Sequence, residues 1–321
     1  MPYNKDFIPG KTVELPTIPS PLKNDIAPLL NGTGHVIDYA HHSVVLNKKR
    51  KFAFYSASNI DGKSWKAIIR KGDFAKDQTA VSPDHQLGPE LYDAIKAKGL
   101  RPNDFEQGHL TSFQEVLWGK ASESKKAASD TFYYTNCVPQ HERVNSGLWR
   151  SLEQYILKTQ TVKHGLKINV ITGPLLSVKD PYYIEKVNAG FVQIPCVFWK
   201  VIYYPNADGL NAVGFMMSHK QLLLQDGTVT FKKGEIREEM VREAAALFMD
   251  YKYDSVYQVK VEFIQQETGL KFMLNHVNLP FKSEEKKDVL YKRIEVMRTE
   301  SLTPKTFAQR ELDFDLINIT L

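Results

Sequence analysis

The amino-acid sequence predicts an α+β fold, and two kinds of pattern indicate it. Runs rich in β-branched and aromatic residues, bounded by turn residues, predict strands. These runs occupy residues 43–46, 166–172, 192–204 and 210–218. Apolar residues at helical spacing predict a helix over residues 145–158. Because both strands and helices are predicted along the chain, the fold class is neither all-α nor all-β.

The first half of the chain begins with an arm and continues with strands. Residues 1–35 are predicted to be an extended arm, because their prolines oppose helix formation. Residues 36–55 predict two strands joined by a turn at 47–50, and residues 65–70 predict the next strand. A short helix is predicted over residues 89–98, where Pro89 suits a first helical turn.

The second half alternates polar, β-rich and helical segments. Residues 122–129 predict a polar helix or loop, and residues 132–136 have β-rich composition. Residues 233–251 predict partial helix, and a further helix should end at Gly269. Residues 283–300 predict a charged amphipathic helix. The predicted organisation is an arm (1–35), one domain (36–282) and a helical tail (283–321).

Composition excludes few functional classes. The chain is 42% hydrophobic and 25% charged, which is ordinary for a globular protein. A net charge of +5 suits a polyanionic substrate but is shared by proteins with other partners.

No apolar run approaches the roughly 18 residues of a membrane span, so no membrane partner is expected. The first residues lack the apolar core of a signal peptide, so the localisation stays open between the site of synthesis and export after signal removal. Cys137 and Cys196 are expected to be small buried residues.

Three short motifs gather most of the chemistry. They are EQGHL at 106–110, TNCVPQ at 135–140 and NSGLWRSLE at 145–153. A histidine accepts a proton from water near neutral pH. An amide oxygen and a carboxylate hold a hard divalent cation, which stabilises charge on a phosphate. The order of histidine, asparagine and glutamate therefore predicts metal-assisted phosphodiester cleavage.

This pattern resembles the DNA/RNA non-specific endonucleases of the ββα-metal superfamily. Residues 106–109 fall on that family's first signature, and Asn136, Pro139 and Gln140 fall on its second. The third signature is matched by Asn145, Trp149, Leu152 and Glu153. The resemblance covers residues 35 to 280. It implies a central antiparallel sheet flanked by helices, with a ββα-metal nuclease motif near residues 106–158.

The resemblance also implies a role for each site residue. His109 would be the general base, with Glu153 and Arg70 also serving catalysis. Asn145 would bind Mg²⁺ directly, with Mn²⁺ as the alternative cation, and Glu153 would bind it through water. The residues expected near the substrate are Glu106, Gln107, Gly108, Asn136, Arg143 and Arg150.

Each role has a structural alternative. Asn145 has the residue type of a helix N-cap, and Glu153 that of a solvated helix position. Arg70, Arg143 and Arg150 could equally be exposed surface charges. Asn136 is better suited to tie the backbone of the site together than to touch metal, and Trp149 is better suited to a core than to base stacking.

The expected function is divalent-metal-dependent, sequence-non-specific hydrolysis of DNA and RNA. Gln107 and Leu157 stand where the resembled family carries arginine, and Glu106 stands where it carries aspartate. These departures motivate an alternative, a nucleic-acid-binding protein with a weakened or inactive nuclease site. A phosphodiesterase for small substrates is a third possibility. DNA and RNA are the expected partners, and a homodimer is left open because family members often dimerise.

Overall fold

The computed structural model describes residues 1–93, 104–188, 190–231, 255–281, 291–293, 295–298, 314–317 and 319. Its strands, in chain order, are β1 Val36–Tyr39, β2 His42–Asn47, β3 Phe52–Asp61, β4 Glu106–His109, β5 Cys137–Gln140, β6 Lys167–Pro174, β7 Tyr182–Tyr183, β8 Val197–Asn206, β9 Gly209–Ser218, β10 Val229–Thr230, β11 Tyr257–Val259, β12 Tyr291–Arg293, β13 Glu295–Arg298 and β14 Phe314–Ile317.

The α-helices are short. They are α1 Ser20–Lys23, α2 Pro89–Tyr92, α3 Ala121–Asp130, α4 Glu142–Asn145, α5 Leu148–Gln154, α6 Lys220–Gln225 and α7 Val261–Thr268. A π-helical segment, Tyr155–Val162, continues α5. Single 3-10 turns occupy Pro83–His85 and Tyr134–Asn136. Within the described ranges, no helix is both long and apolar enough to cross a membrane.

A central antiparallel sheet organises the chain. Among the described residues it has eight strands in the order β1-β2-β3-β6-β8-β9-β11-β12. Every neighbouring pair in it is antiparallel. Helices α2, α4, α5 and α6 contribute to the core on one face, and α7 and the N-terminal arm contribute to the core on the other. The predicted α+β class, a central antiparallel sheet flanked by helices, is confirmed.

Strand β8 shows how the two cores arise from the sequence. Successive side chains of a strand point to opposite faces. Phe198 and Ile202 therefore enter the first core, while Trp199, Val201 and Tyr203 enter the second. Lys200 has the parity of the first group, so it lies on the face that packs against α5, fully buried.

A polar strip crosses this otherwise apolar face. Ser56 pairs directly with Thr172, and Thr172 pairs directly with Lys200 across three adjacent strands. Each of these side chains is buried. Buried polar groups require partners, and the polar partners of this strip lie in the segment after β4. The strip thus fixes where that segment crosses the sheet.

The structure corrects several predicted elements in the first half of the chain. Residues 36–55 enter three strands, not two, and the third extends to Asp61. Residues 65–70 form no strand. Helix α2 ends at Tyr92, with Asp93 as its C-cap. Residues 94–98 of that predicted helix lie outside the described residues, as does the predicted helix at 233–251.

Two further corrections concern the helix at 145–158 and the tail. The predicted single helix is divided between α4 and α5, because Ser146 and Gly147 interrupt it. The prediction of a helical tail is wrong for the residues described there, which form β12, β13 and β14. Strand β12 pairs with β11 and extends the sheet, so backbone pairing replaces the helical periodicity of the sequence.

The packing of Gly214 in β9 predicts a stability effect. A Cβ at this position would lie 2.8 Å from Ile264 Cδ1 and 2.9 Å from the backbone oxygen of Val259. Gly214→Ala should therefore lower the free energy of unfolding by about 1–3 kcal/mol, the usual cost of overpacking. Gly190→Ala is the matched control, since its nearest neighbour would be 3.6 Å away. Equal urea midpoints for the two variants would contradict the prediction.

Candidate active site

One open cleft, with an empty volume of about 970 Å³, brings together most of the predicted site residues. Its walls come from four places: the irregular segment after β3, strand β4, the segment that follows β4, and the consecutive helices α4 and α5. The predicted residues that line it are Arg70, Glu106, Gln107, His109, Asn145, Arg150 and Glu153.

The antiparallel pair of strands β4 and β5 positions His109. Gly108 pairs with Val138, and His109 pairs with Cys137. A Cβ on Gly108 would lie 2.3–2.5 Å from side-chain atoms of Gln140. Glycine is therefore required for the two strands to approach, and in this structure it makes room for a protein side chain. Gly108 thus allows the close pairing of β4 with β5, and His109 is the last residue of β4.

The His109 ring sits in an aromatic setting. Its centroid lies 4.7 Å from that of Phe74 and 5.0 Å from that of Phe132, the latter edge-on. Nε2 is buried and has no hydrogen-bond partner. Burial, followed by the positive charges of Arg70 and His42, lowers the pKa of His109 to about 3. The ring is therefore neutral near pH 7, with the proton on one ring nitrogen and the other able to accept one.

Asn145 is held by a carboxylate on the opposite wall. Its Nδ2 donates a hydrogen bond to Glu106 Oε2 at 3.1 Å. This bond turns the amide so that Oδ1 stays available for another ligand. Asn145 is the last residue of α4, whose N-cap is His141, and the N-cap of α5 is Gly147. The alternative role of Asn145 as a helix N-cap is therefore wrong.

Buried histidines orient α4. His141 Nδ1 accepts the backbone N–H of Arg143 at 3.1 Å, so Nε2 carries the proton and donates to Asp226 Oδ2 at 2.8 Å. The backbone N–H of His141 donates to His219 Nδ1 at 3.1 Å. The start of the helix that carries Asn145 is thus tied to the segment around α6.

Glu153 lies above a buried cation. Lys200 Nζ is 3.6 Å from Glu153 Oε1 and 3.1 Å from Glu115 Oε1, and it donates to Thr172 Oγ1 at 2.8 Å. Burial lowers the pKa of Lys200, but the two carboxylates raise it more, so the ammonium stays charged. Burial raises the pKa of Glu153 to about 7 against the opposing effect of Lys200. Burial and Lys200 thus act on the pKa of this carboxyl group in opposite directions, and burial has the larger effect.

Three of the residues predicted near the substrate do not line the cleft: Gly108, Asn136 and Arg143. Asn136 is fully buried: it accepts the N–H of Thr111 and donates to the carbonyls of Thr111 and Thr131. Its predicted substrate contact is wrong, whereas its role in tying the backbone of the site together matches these bonds. Arg143 is exposed but does not line the cleft. Trp149 is 2% exposed, as expected of a core residue.

The donor set suits a hard cation. Within the described part of the chain, no three His, Cys, Asp or Glu side chains converge to hold a metal ion. The cleft offers the amide oxygen of Asn145 and the carboxylates of Glu106 and Glu153. Mg²⁺ binds few protein oxygens and keeps several waters, so a sparse oxygen set of this kind fits it. Zinc would require a Cys/His cluster.

Comparison with known proteins decides the family. A family model described as "DNA/RNA non-specific endonuclease" matches residues 26–278. The chain belongs to this family. The predicted resemblance is confirmed, and so is the enzyme class that it implied, a hydrolase of phosphodiester bonds.

The chain is also similar to individual known proteins. An uncharacterized protein, y4fB, from Sinorhizobium fredii is 32% identical over 279 residues, which are 84% of this chain and 38% of y4fB. Mitochondrial endonuclease G from Bos taurus is 31% identical over 217 residues, 63% of this chain and 70% of that protein. A solved EndoG/EndoGI complex contains a chain with 18% identity and a TM-score of 0.48, aligned over 75% of this chain and 86% of that one. The chain thus spans well under half the length of y4fB.

Lys200, Glu115 and His141 belong to the site but were not predicted from the sequence. A signal for Lys200 exists, because a lysine in the middle of the apolar run 196–204 must find a partner if the strand is buried. Nothing local identifies Glu115 as that partner. His141 follows a strand and precedes a helix, where an N-cap is expected, but histidine is not a favoured cap.

Loss of the Lys200 charge should destabilise the protein in a pH-dependent way. Lys200→Met leaves the buried Glu115 and the partly buried Glu153 without a cation, so we expect a loss of about 3–5 kcal/mol in the free energy of unfolding at pH 8. Without Lys200 the pKa of Glu153 rises further, so the carboxyl group is neutral at pH 5.5 and the loss is smaller there. Lys271→Met, at an exposed position, is the control. Urea unfolding at both pH values measures the effect, and an equal loss at each would contradict this account.

Proposed function

We propose that this chain is a divalent-metal-dependent endonuclease that hydrolyses phosphodiester bonds of DNA and RNA without sequence specificity. The observation that carries the proposal is the convergence of neutral His109, Asn145 with its available Oδ1, and two guanidinium groups in one cleft. Similarity to a protein named mitochondrial endonuclease G supports it.

His109 would act as the general base. Its Nε2 is enclosed by protein, so Nδ1 is the nitrogen through which the ring meets the cleft. A neutral ring accepts the proton of an attacking water, and such a base typically contributes about 10²- to 10⁴-fold in rate. Phe74 and Phe132 restrict the ring, which keeps the accepting nitrogen directed at the substrate.

Asn145 would hold the cation through Oδ1, with Glu106 and Glu153 contributing carboxylate oxygens directly or through water. When bound, Mg²⁺ or Mn²⁺ supplies positive charge that stabilises the negative charge developing on the phosphate. Glu106 fixes the orientation of the Asn145 amide. Lys200, in strand β8, holds the Glu153 carboxyl group by an ion pair.

Arg70 and Arg150 would bind phosphate. Partial desolvation in the cleft, followed by the like charge of Arg150, lowers the pKa of Arg70, while Glu106 raises it. These three charges therefore interact electrostatically across the cleft. Contacts to phosphate position a nucleic acid without reading its bases, which accounts for non-specific cleavage. Gln107, in the family's arginine position, donates to Tyr134 Oη at 3.1 Å. We infer that Arg70 and Arg150 supply the charge that Gln107 lacks.

Incubation of the purified chain with plasmid DNA and with RNA tests the proposal. Cleavage should require Mg²⁺ or Mn²⁺ and stop with EDTA, and His109→Ala should lower the rate by about 10²- to 10⁴-fold. His164→Ala, at an exposed position outside this cleft, is the matched control. Wild-type cleavage by His109→Ala would remove His109 as the base. Nucleic-acid binding without cleavage would favour the alternative of an inactive site.

The acid limb of the pH–rate profile should depend on Arg70. The base form of His109 exists above its pKa, which burial and then Arg70 hold at about 3. Arg70→Gln removes one positive charge, so the pKa of His109 should rise and the acid limb of kcat/KM should move to higher pH. A control, Arg143→Gln, changes an exposed arginine outside the cleft and should leave the limb in place. An acid limb that is equally placed in wild type and Arg70→Gln would contradict the assigned coupling.

A further inference from the structure

Residues 63–71, here called the basic wall, are an exposed segment that the fold does not use as regular structure. Their sequence, KSWKAIIRK, contains four cations and no carboxylate. Lys63, Lys66, Arg70 and Lys71 are all exposed, and the segment forms no strand. Ile69 is 83% exposed beside Arg70. Exposing a large apolar side chain within a cationic segment gives the fold no packing energy.

The basic wall is continuous with the cleft. Its Ile68 and Arg70 line the cleft directly. Trp65 anchors it, because Nε1 donates to the carbonyl of Gln114 at 2.9 Å and Lys158 Nζ lies 3.0 Å from the ring centroid. Gln114 itself lines the cleft. A polymer bound at His109 would therefore pass along this segment as it leaves the cleft.

We propose that the basic wall binds an unpaired strand of polynucleotide, with its cations along the phosphates and Ile69 against the bases. This inference rests on the proposed nuclease function and specifies its preferred substrate as single-stranded nucleic acid. A duplex presents phosphates outward and stacks its bases inside, so Ile69 would gain nothing from it. A single strand offers exposed base faces for apolar contact as well as phosphates.

The test measures binding, without turnover. All variants are made in full-length His109→Ala and studied in EDTA by fluorescence anisotropy. The probes are a labelled single-stranded oligonucleotide and its duplex of equal length. Ile69→Ser should raise the Kd for the single strand about five-fold, roughly the loss of half a buried isoleucine contact, and leave the duplex Kd unchanged. Val178→Ser is the matched control, because Val178 is 84% exposed and lies away from the cleft.

A charge variant tests the other half of the proposal. Lys71→Gln should weaken binding of both probes and reduce the slope of log Kd against log salt by about 0.7 to 0.9, the contribution of one phosphate contact. Lys271→Gln, which removes an exposed lysine from the segment that pairs with the N-terminal arm, should change neither.

Three outcomes would overturn the inference. The first is that Ile69→Ser loses affinity for both probes equally. The second is that Ile69→Ser loses no affinity for the single strand. The third is that Val178→Ser loses as much affinity for the single strand as Ile69→Ser. Cleavage plays no part in these measurements. Failure of the wild-type chain to cut nucleic acid would therefore contradict the proposed function and leave the binding result to be judged separately.

Discussion

The buried ammonium of Lys200 constrains the architecture around the cleft. It lies on the helix-facing side of β8, between Glu115 and Glu153, and each of these carboxylates belongs to a different part of the chain. A buried charge without a partner is far more costly than a buried pair. The segment after β4 and helix α5 must therefore both approach this point of the sheet. Ser58, which donates to Glu115 Oε2 at 3.1 Å, adds β3 to the same cluster.

Polar contacts, more than apolar packing, set the direction of Asn145. Its helix, α4, has four residues and buries only Val144. The orientation of the helix comes from His141, whose two ring nitrogens and backbone N–H are all engaged. His219 completes the set, because its Nε2 donates to the carbonyl of Pro195 at 2.8 Å. A short helix held in this way can present an amide to a cation without contributing much to the core.

The structure supplies positive charge near the two positions, Gln107 and Leu157, at which this chain lacks an arginine of the family pattern. Leu157, in a position where the family often carries arginine, is buried in the first core. Lys200, which lies in strand β8 of the sheet, supplies the cation beside Glu153. Gln107 is bonded to Tyr134, while Arg70 and Arg150 both line the cleft. The positive charge of the site therefore comes from the sheet and from the cleft walls. Asn145 and Glu153 reach one cleft from separate helices, α4 and α5. The tight junction between these helices requires glycine, because a Cβ on Gly147 would lie 2.1 Å from the backbone oxygen of Arg143.

The sequence by itself determined the features that depend on neighbouring residues. Runs rich in β-branched and aromatic residues predicted the long strands β6, β8 and β9. The left-handed φ of 71° at Gly269 ends α7 where glycine predicted it. The motif order predicted that His109, Asn145 and Glu153 would share a cleft. Only the tertiary structure decided which segments find pairing partners. Residues 65–70 have strand composition and pair with nothing, whereas part of the predicted tail helix becomes β12. Lys200 and Glu115 are 85 residues apart, so no local pattern could join them. Strand pairing and buried charge pairing are long-range interactions, and the folded chain alone sets them.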